Sequence, residues 1–311
     1  MYLLALFYST RPNIQGINLG ERPGFPPNLV LLVSIAAVST ASILIRLTDA
    51  PPMAIATWRL ALSTLILLPF FLSRGGVSKL RAMGRGDLLT LAGVGVVLAV
   101  HFATWITSLS YTSVASSVIF VHVDPIFVAL VSHFVIGERV SRRVALGIGV
   151  AFAGASIIAL SDLGVGGENL VGDALSIIGA IALGIYIMAG RRLRQRLDLT
   201  TYVTPVYAVS AVVLAAGSFA VGAPLIGYDS GVILMFFAIA LVPMIFGHTL
   251  YNWALRWISA PVVSISLLGE PVGASLLAFL ILGESPAPLA LVGGAVTLAG
   301  ILVCAYQPAS K

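Results

Sequence analysis

Residues 114–138, VASSVIFVHVDPIFVALVSHFVIGE, and residues 260–284, APVVSISLLGEPVGASLLAFLILGE, superimpose under one gapless shift of 146 positions. Pro125 falls on Pro271, Gly137-Glu138 on Gly283-Glu284, and Asp124 on Glu270. Extended outward, the same shift lays Leu109 to Leu160 over Leu255 to Tyr306, so that Gly147 and Gly154 meet Gly293 and Gly300. Apolar runs resemble one another by chance; matched rare residues within them do not. An acid followed by a helix-breaking proline in mid-run, present in both halves, predicts a duplicated membrane protein with a binding site between the repeats near the bilayer midplane.

The bulk composition agrees. Of 311 residues, 59% are hydrophobic and only 9% charged, whereas a soluble domain carries roughly 25% charged residues. Such a chain must face lipid. Its single cysteine, Cys304, excludes an intramolecular disulfide and a cysteine-based metal cluster, and reads as a small packing residue.

Apolar runs of spanning length fall at 29–48, 52–72, 88–109, 113–136, 143–161, 173–190, 201–222, 231–254, 260–282 and 288–306. The expected fold is therefore an all-α membrane protein of ten transmembrane helices. It divides into a tail (1–28), a first repeat (29–161) and a second repeat (173–306). Residues 1–28 read as a cytoplasmic tail, or as lying upstream of the true start: Met1–Tyr8 are too few to span, and no small-residue cleavage site follows.

Of the 17 Lys and Arg, Arg59 lies inside a span and Arg46 alone falls on one side; the rest mark the other. The positive-inside rule puts both termini and the basic loops of this integral multi-pass protein in the cytoplasm. The pI near 9.6 thus reflects loop ends rather than a nucleic-acid face. Five spans is an odd number, so the second repeat starts from the opposite side and the repeats are inverted.

Ionisable groups inside a membrane are expensive, about 2.5–3.5 kcal/mol for a central Asp or Arg. Asp124 and Glu270 each precede a proline halfway along a span. Pro125 should free the carbonyl of Val121 and Pro271 that of Leu267, giving a carboxylate, a bare carbonyl and a kink together. Each acid reads either as a proton, cation or amine site or as a packing carboxyl. Arg59, seven residues into span two, needs an anionic partner: Asp124, Glu270 or a substrate carboxylate. His101, His122, His133 and His248 all lie in spans; His101 with Trp105, and His248 with Tyr251, put a His and an aromatic one helical turn apart on one face. They read either as a cavity wall or as inter-helix hydrogen bonds.

Trp253, Arg256 and Trp257 read as an interfacial belt, whereas Trp58 fits either belt or cavity. Glu138 and Glu284 oppose the dipole of the helices they end, and should cap the next helix near Ser141 or Ser285. The small residues of spans five and ten suit close approach, to each other or across a dimer face.

These residues resemble the EamA-like family of the drug/metabolite transporter superfamily, ten-helix type. The resemblance rests on Trp58-Arg59, Ala115 through Pro125 to Gly137-Glu138, Gly154, Ser259-Ala260-Pro261, Glu270-Pro271, Gly283-Glu284 and Gly300. It implies an inner-membrane carrier, often an exporter of amino acids or other small metabolites, with a cavity lined by spans one, three, four, six, eight and nine. Span seven lacks an arginine matching Arg59.

The expected function is alternating-access transport of a small amphipathic metabolite, most simply efflux of an amino acid or relative. No nucleotide-binding loop is present, so a gradient drives it. The substrate- or proton-binding set is Glu270, Asp124, Arg59, His101, His248, Trp105 and Tyr251. No catalytic residue, metal ligand or cofactor is expected; the partners are a small-molecule substrate and the lipid bilayer, not nucleic acid, with the chain a monomer or homodimer. The rivals are an intramembrane enzyme, for which no H-E-x-x-H or G-x-S-x-G motif exists, and a passive channel with Asp124 and Glu270 as its polar site.

Overall fold

The computed structural model describes residues 23–127, 142–163, 167–258, 263 and 266–305, and those residues form helices and short turns. The elements are α1 (Pro27–Val38), α2 (Ala41–Arg46), α3 (Pro52–Ser73), α4 (Gly76–Ala82), α5 (Arg85–Ser108), α6 (Val114–Val121), α7 (Arg142–Leu163), α8 (Gly167–Arg194) and α9 (Leu199–Ala220). α10 (Ser230–Ile239) runs through a π-helical stretch (Ala240–Thr249) into α11 (Leu250–Ala254). α12 (Gly269–Leu277) ends in a second π turn (Ala278–Leu282), and α13 (Pro288–Ala305) follows.

Among the described residues six helices are long and apolar enough to cross a bilayer: Pro27–Arg46, Pro52–Ser73, Arg85–Ser108, Gly167–Leu193, Leu199–Ala220 and Ser230–Ala254. Shorter apolar helices occupy Val114–Phe127, Leu146–Ile158, Gly269–Leu282 and Pro288–Gly300. Their outward side chains, among them Leu65, Phe152, Val212, Leu234 and Leu280, are exposed apolar groups suited to lipid. His133 and Glu138 lie outside the described residues.

Local sequence explains the helix starts. Pro27 and Pro52 occupy first-turn positions where a missing N–H is harmless. Ser113, Asp198 and Asp229 are side-chain N-caps of α6, α9 and α10. Asp198 also meets Lys79 of α4 at 2.8 Å, tying the short α4 to the start of α9.

The helices are broken in several places, and polar side chains repair the breaks. Between α1 and α2, Ser39 Oγ donates to Ile35 O and Thr40 Oγ1 to Ala37 O. Pro243 lies within the π stretch, where it lacks the N–H that a regular α-helix needs. Ser63 from α3 donates to Ala240 O, Ser34 from α1 to Gly247 O, and Thr249 to Met244 O. α6 stops at Val121, with His122 N–H bonding Ile119 O in a tightened turn. Pro271 differs from expectation: it sits in the first turn of α12, and the Leu267 carbonyl, far from being bare, accepts from Glu270 N–H at 2.9 Å. The chain tightens just before the proline, so the ring costs no hydrogen bond there.

Glu284 also departs from expectation. Gly283 adopts φ +68°, a left-handed conformation that reverses the chain and lets Glu284 N–H bond Ala278 O. The carboxylate then turns away from Ser285, accepting from Val114 N–H at the start of α6 (3.1 Å) and from Arg46 at the end of α2 (2.5 Å). It caps a helix in the other half of the chain.

α5 packs on α8 and α9, α3 on α9, α1 on the π stretch, and α7 on α13. In the last pair the glycines allow backbone contact: a Cβ on Gly154 would lie 2.4 Å from Thr297 N and 2.6 Å from Gly293 O. Gly154→Ala should therefore lower stability by about 1–3 kcal/mol through overpacking, read by thermal denaturation in detergent. Gly149→Ala, with open space at its Cβ, should be neutral or stabilising.

Burial alone would raise the Asp198 carboxyl, but the bonds from Lys79, Thr201 and Thr200 outweigh it and hold it well below the usual carboxylate range. A depressed folded-state value gives stability that is full above the unfolded value, about pH 4, and is lost as pH falls. Asp198→Asn should thus be less stable than wild type at pH 7, by about 1 kcal/mol for the weakened cap, with the two melting curves converging on acidification.

Candidate functional site

The broken segments surround one polar cavity. His101 and Trp105 come from α5, Val121 and His122 from the end of α6, Leu183 from α8, His248 and Tyr251 from the π stretch and α11, and Leu267 and Glu270 from the turn entering α12. It holds about 310 Å³ of empty space counted out to its mouth. Its interior admits roughly one or two water molecules, so a metabolite would enter only after the helices part.

His101 stacks parallel on Trp105, ring centroids 6.0 Å apart, and its Nδ1 lies 3.0 Å from the Gly179 carbonyl on α8. Opposite, His248 Nδ1 meets the Tyr251 hydroxyl at 2.7 Å. The two imidazoles are 6.1 Å apart. The two His–aromatic pairs read from the sequence therefore face one another across a single space.

Glu270 is paired with a residue outside the expected set. Its Oε2 lies 3.3 Å from His122 Nε2. His122 Nδ1 is 2.8 Å from the Val118 carbonyl, which can only accept, so Nδ1 carries a hydrogen. Nε2 then either receives a hydrogen bond from neutral Glu270 or, as part of an imidazolium, donates one to the carboxylate. A hydrogen bond across this 3.3 Å gap needs one shared proton, without which two acceptors face each other.

Arg59 sits behind this wall, fully buried, its guanidinium carbon 4.3 Å from the Phe102 ring centre and 5.8 Å from that of Trp105. Among the described residues it forms no salt bridge with Asp124 or Glu270. Asp124 is also buried, at 2% exposure, but does not line the cavity; the two acids matched by the repeat occupy unlike places. Nor does any residue of α1 or α2 line it. Trp58 does not line the cavity: its indole donates to Leu225 O and its ring stacks on Phe236.

Toward the basic loops lies a polar layer that the linear pattern did not reveal. Asn252 donates to the Tyr186 hydroxyl and the His248 carbonyl, Tyr207 meets Thr249, and Arg194 donates to the Asn252 carbonyl. Its members come from α8, α9, the π stretch and α11, so no local spacing announces it. His122 was visible as a membrane histidine two residues before Asp124, but its pairing joins the two halves.

Apolar faces turned outward and a carboxylate, three imidazoles and a guanidinium gathered centrally define a multi-pass membrane protein with a polar internal site. The EamA-like transporter family matches residues 27–160 and again 170–306, and the chain belongs to that family. It is a transporter, not an enzyme.

The chain is 24% identical over 276 residues to an uncharacterized transporter of Archaeoglobus fulgidus, covering 88% of this chain and 94% of that one. It is 30% identical over 188 residues to a protein of Streptantibioticus cattleyicolor named as a probable terminal-alkyne amino-acid exporter, covering 58% and 60% of the two chains. A solved crystal structure superimposes with a TM-score of 0.64 at 20% identity, over 89% of this chain and 95% of that one, a likeness of fold alone.

The His122–Glu270 contact should appear in a double-mutant cycle. His122→Gln and Glu270→Gln are expected to be non-additive by about 1–3 kcal/mol in detergent denaturation. Additivity within about 0.5 kcal/mol would mean that the two groups do not interact.

Proposed function

We propose that this chain is a gradient-driven secondary transporter that moves a small amphipathic metabolite, an amino acid or close relative, outward by alternating access. The His122–Glu270 pair at the cavity is the observation that carries this reading: a carboxylate and an imidazole sharing one proton form a compact coupling site. Proton and substrate amine then compete for Glu270, so protonation on one side releases cargo and deprotonation on the other recaptures it. Trp105, His101 and Tyr251 flank the apolar part of the cargo. Asp124, buried near the break after α6, tunes the charge of His122 without touching cargo.

In this reading the ten apolar segments are ten spans in two inverted repeats, 29–161 and 173–306, with both termini in the cytoplasm of a cell whose inner membrane holds the protein. The broken helices, stitched by side chains rather than lipid, are the hinges. The Glu284 carboxylate, joining the end of α2 to the start of α6, closes the outer side. The amino-acid exporter among the relatives supports the direction and the cargo class.

Proteoliposomes with labelled L-norleucine provide the test. Wild type should show saturable, pH-dependent flux with counterflow, and Glu270→Gln should lose the pH dependence while reconstituting normally. Unchanged pH dependence in that variant makes the acid structural. Non-saturating flux without counterflow would identify a channel instead.

A further inference from the structure

Arg59 is a buried cation with no hydrogen-bond acceptor among the described residues. Its side chain has no exposed surface, and none of its three guanidinium nitrogens has a hydrogen-bond partner among the described residues. The groups that act on it electrostatically are Glu270, Tyr207 and Tyr251, and each is committed elsewhere: Glu270 to His122, Tyr207 to Thr249, Tyr251 to His248. Nearby Ser63 spends its hydroxyl on the carbonyls of Arg59 and Ala240. What remains is the face of Phe102 at 4.3 Å and the more distant ring of Trp105. A cation–π contact offsets only part of the penalty for desolvating a guanidinium.

Five buried donors without acceptors mark a site that a ligand completes. We propose that Arg59 is the anchor for the carboxylate of a small organic monoanion, bound bidentately by the guanidinium fork. One uncompensated positive charge in a low-dielectric interior calls for one negative charge; a doubly charged phosphate ester would leave an excess buried anion. Phe102 is the barrier between anchor and cavity, its ring 5.1 Å from that of His248 on the cavity side. Rotation of Phe102 about its side-chain bonds uncovers the guanidinium, and Trp105, which both touches Arg59 and lines the cavity, then flanks the ligand's tail.

This inference rests on the reading of the cavity as a cargo site, but its test reads binding rather than flux, so either can fail alone. Purified full-length protein in detergent is melted with L-norleucine, with hexanoate and with L-norleucinamide, which lacks the anion. Wild type should be stabilised by both carboxylates and not by the amide. Arg59→Met should lose both shifts, and without ligand should melt at or above wild type, because an uncompensated charge has gone. Arg59→Lys keeps the charge but not the fork; it should still prefer acid to amide, with affinity weakened about tenfold.

A marked loss of melting temperature in ligand-free Arg59→Met would show the cation to be structural and overturn the proposal. So would stabilisation of wild type by the amide as strongly as by the acid, absence of any carboxylate effect, or an Arg59→Lys response equal to wild type. Carboxylate binding that survives in Arg59→Met would place the anchor elsewhere.

Discussion

Lipid offers backbone amides no hydrogen bonds, and the rest of this structure follows from that constraint. A helix may break in the membrane only where protein supplies the missing partners. Here the breaks at Ser39–Thr40 and Ala240–Thr249 are bonded by their own Ser39, Thr40 and Thr249 and by Ser34 and Ser63 of neighbouring helices, while the turns after Val121 and before Glu270 close through backbone bonds. Each repair brings polar groups inward. The cavity and the broken helices are thus one feature: irregular backbone requires a polar interior, and a polar interior is where a solute can be held.

The same constraint separates two kinds of helix contact. α7 and α13 approach through Gly154, Gly293 and Gly300 until backbone meets backbone, which maximises dispersion contact; the buried Thr297 at this seam spends its hydroxyl on Gly293 O of its own helix. The helices around the cavity meet instead through His, Tyr, Asn and Ser.

The interior charges carry the functional tension. His122 and Glu270 face one another at 3.3 Å, a contact that a single proton can bridge. Arg59 is neutralised by nothing within hydrogen-bonding distance among the described residues and leans on an aromatic face. A protein selected only for stability would replace it with an apolar residue of similar volume. A buried cation without an acceptor among the described residues is intelligible as stability given up for binding an anion.

The sequence by itself determined the class: apolar run lengths, the scarcity of charge and matched acid-proline pairs are statements about solvent and periodicity, and they require helices in lipid with costly residues inside. It also identified His101, Trp105, His248, Tyr251 and Glu270 by type, because a polar residue in an apolar run stands out without any knowledge of its neighbours. Only the tertiary structure decided who meets whom. That Glu270 pairs with His122, that Asp124 stays out of the cavity, that Arg59 meets no acid among the described residues and that Glu284 caps α6 are relations between segments far apart in the chain. Spacing along one helix cannot encode them, since they depend on where separate helices break and cross.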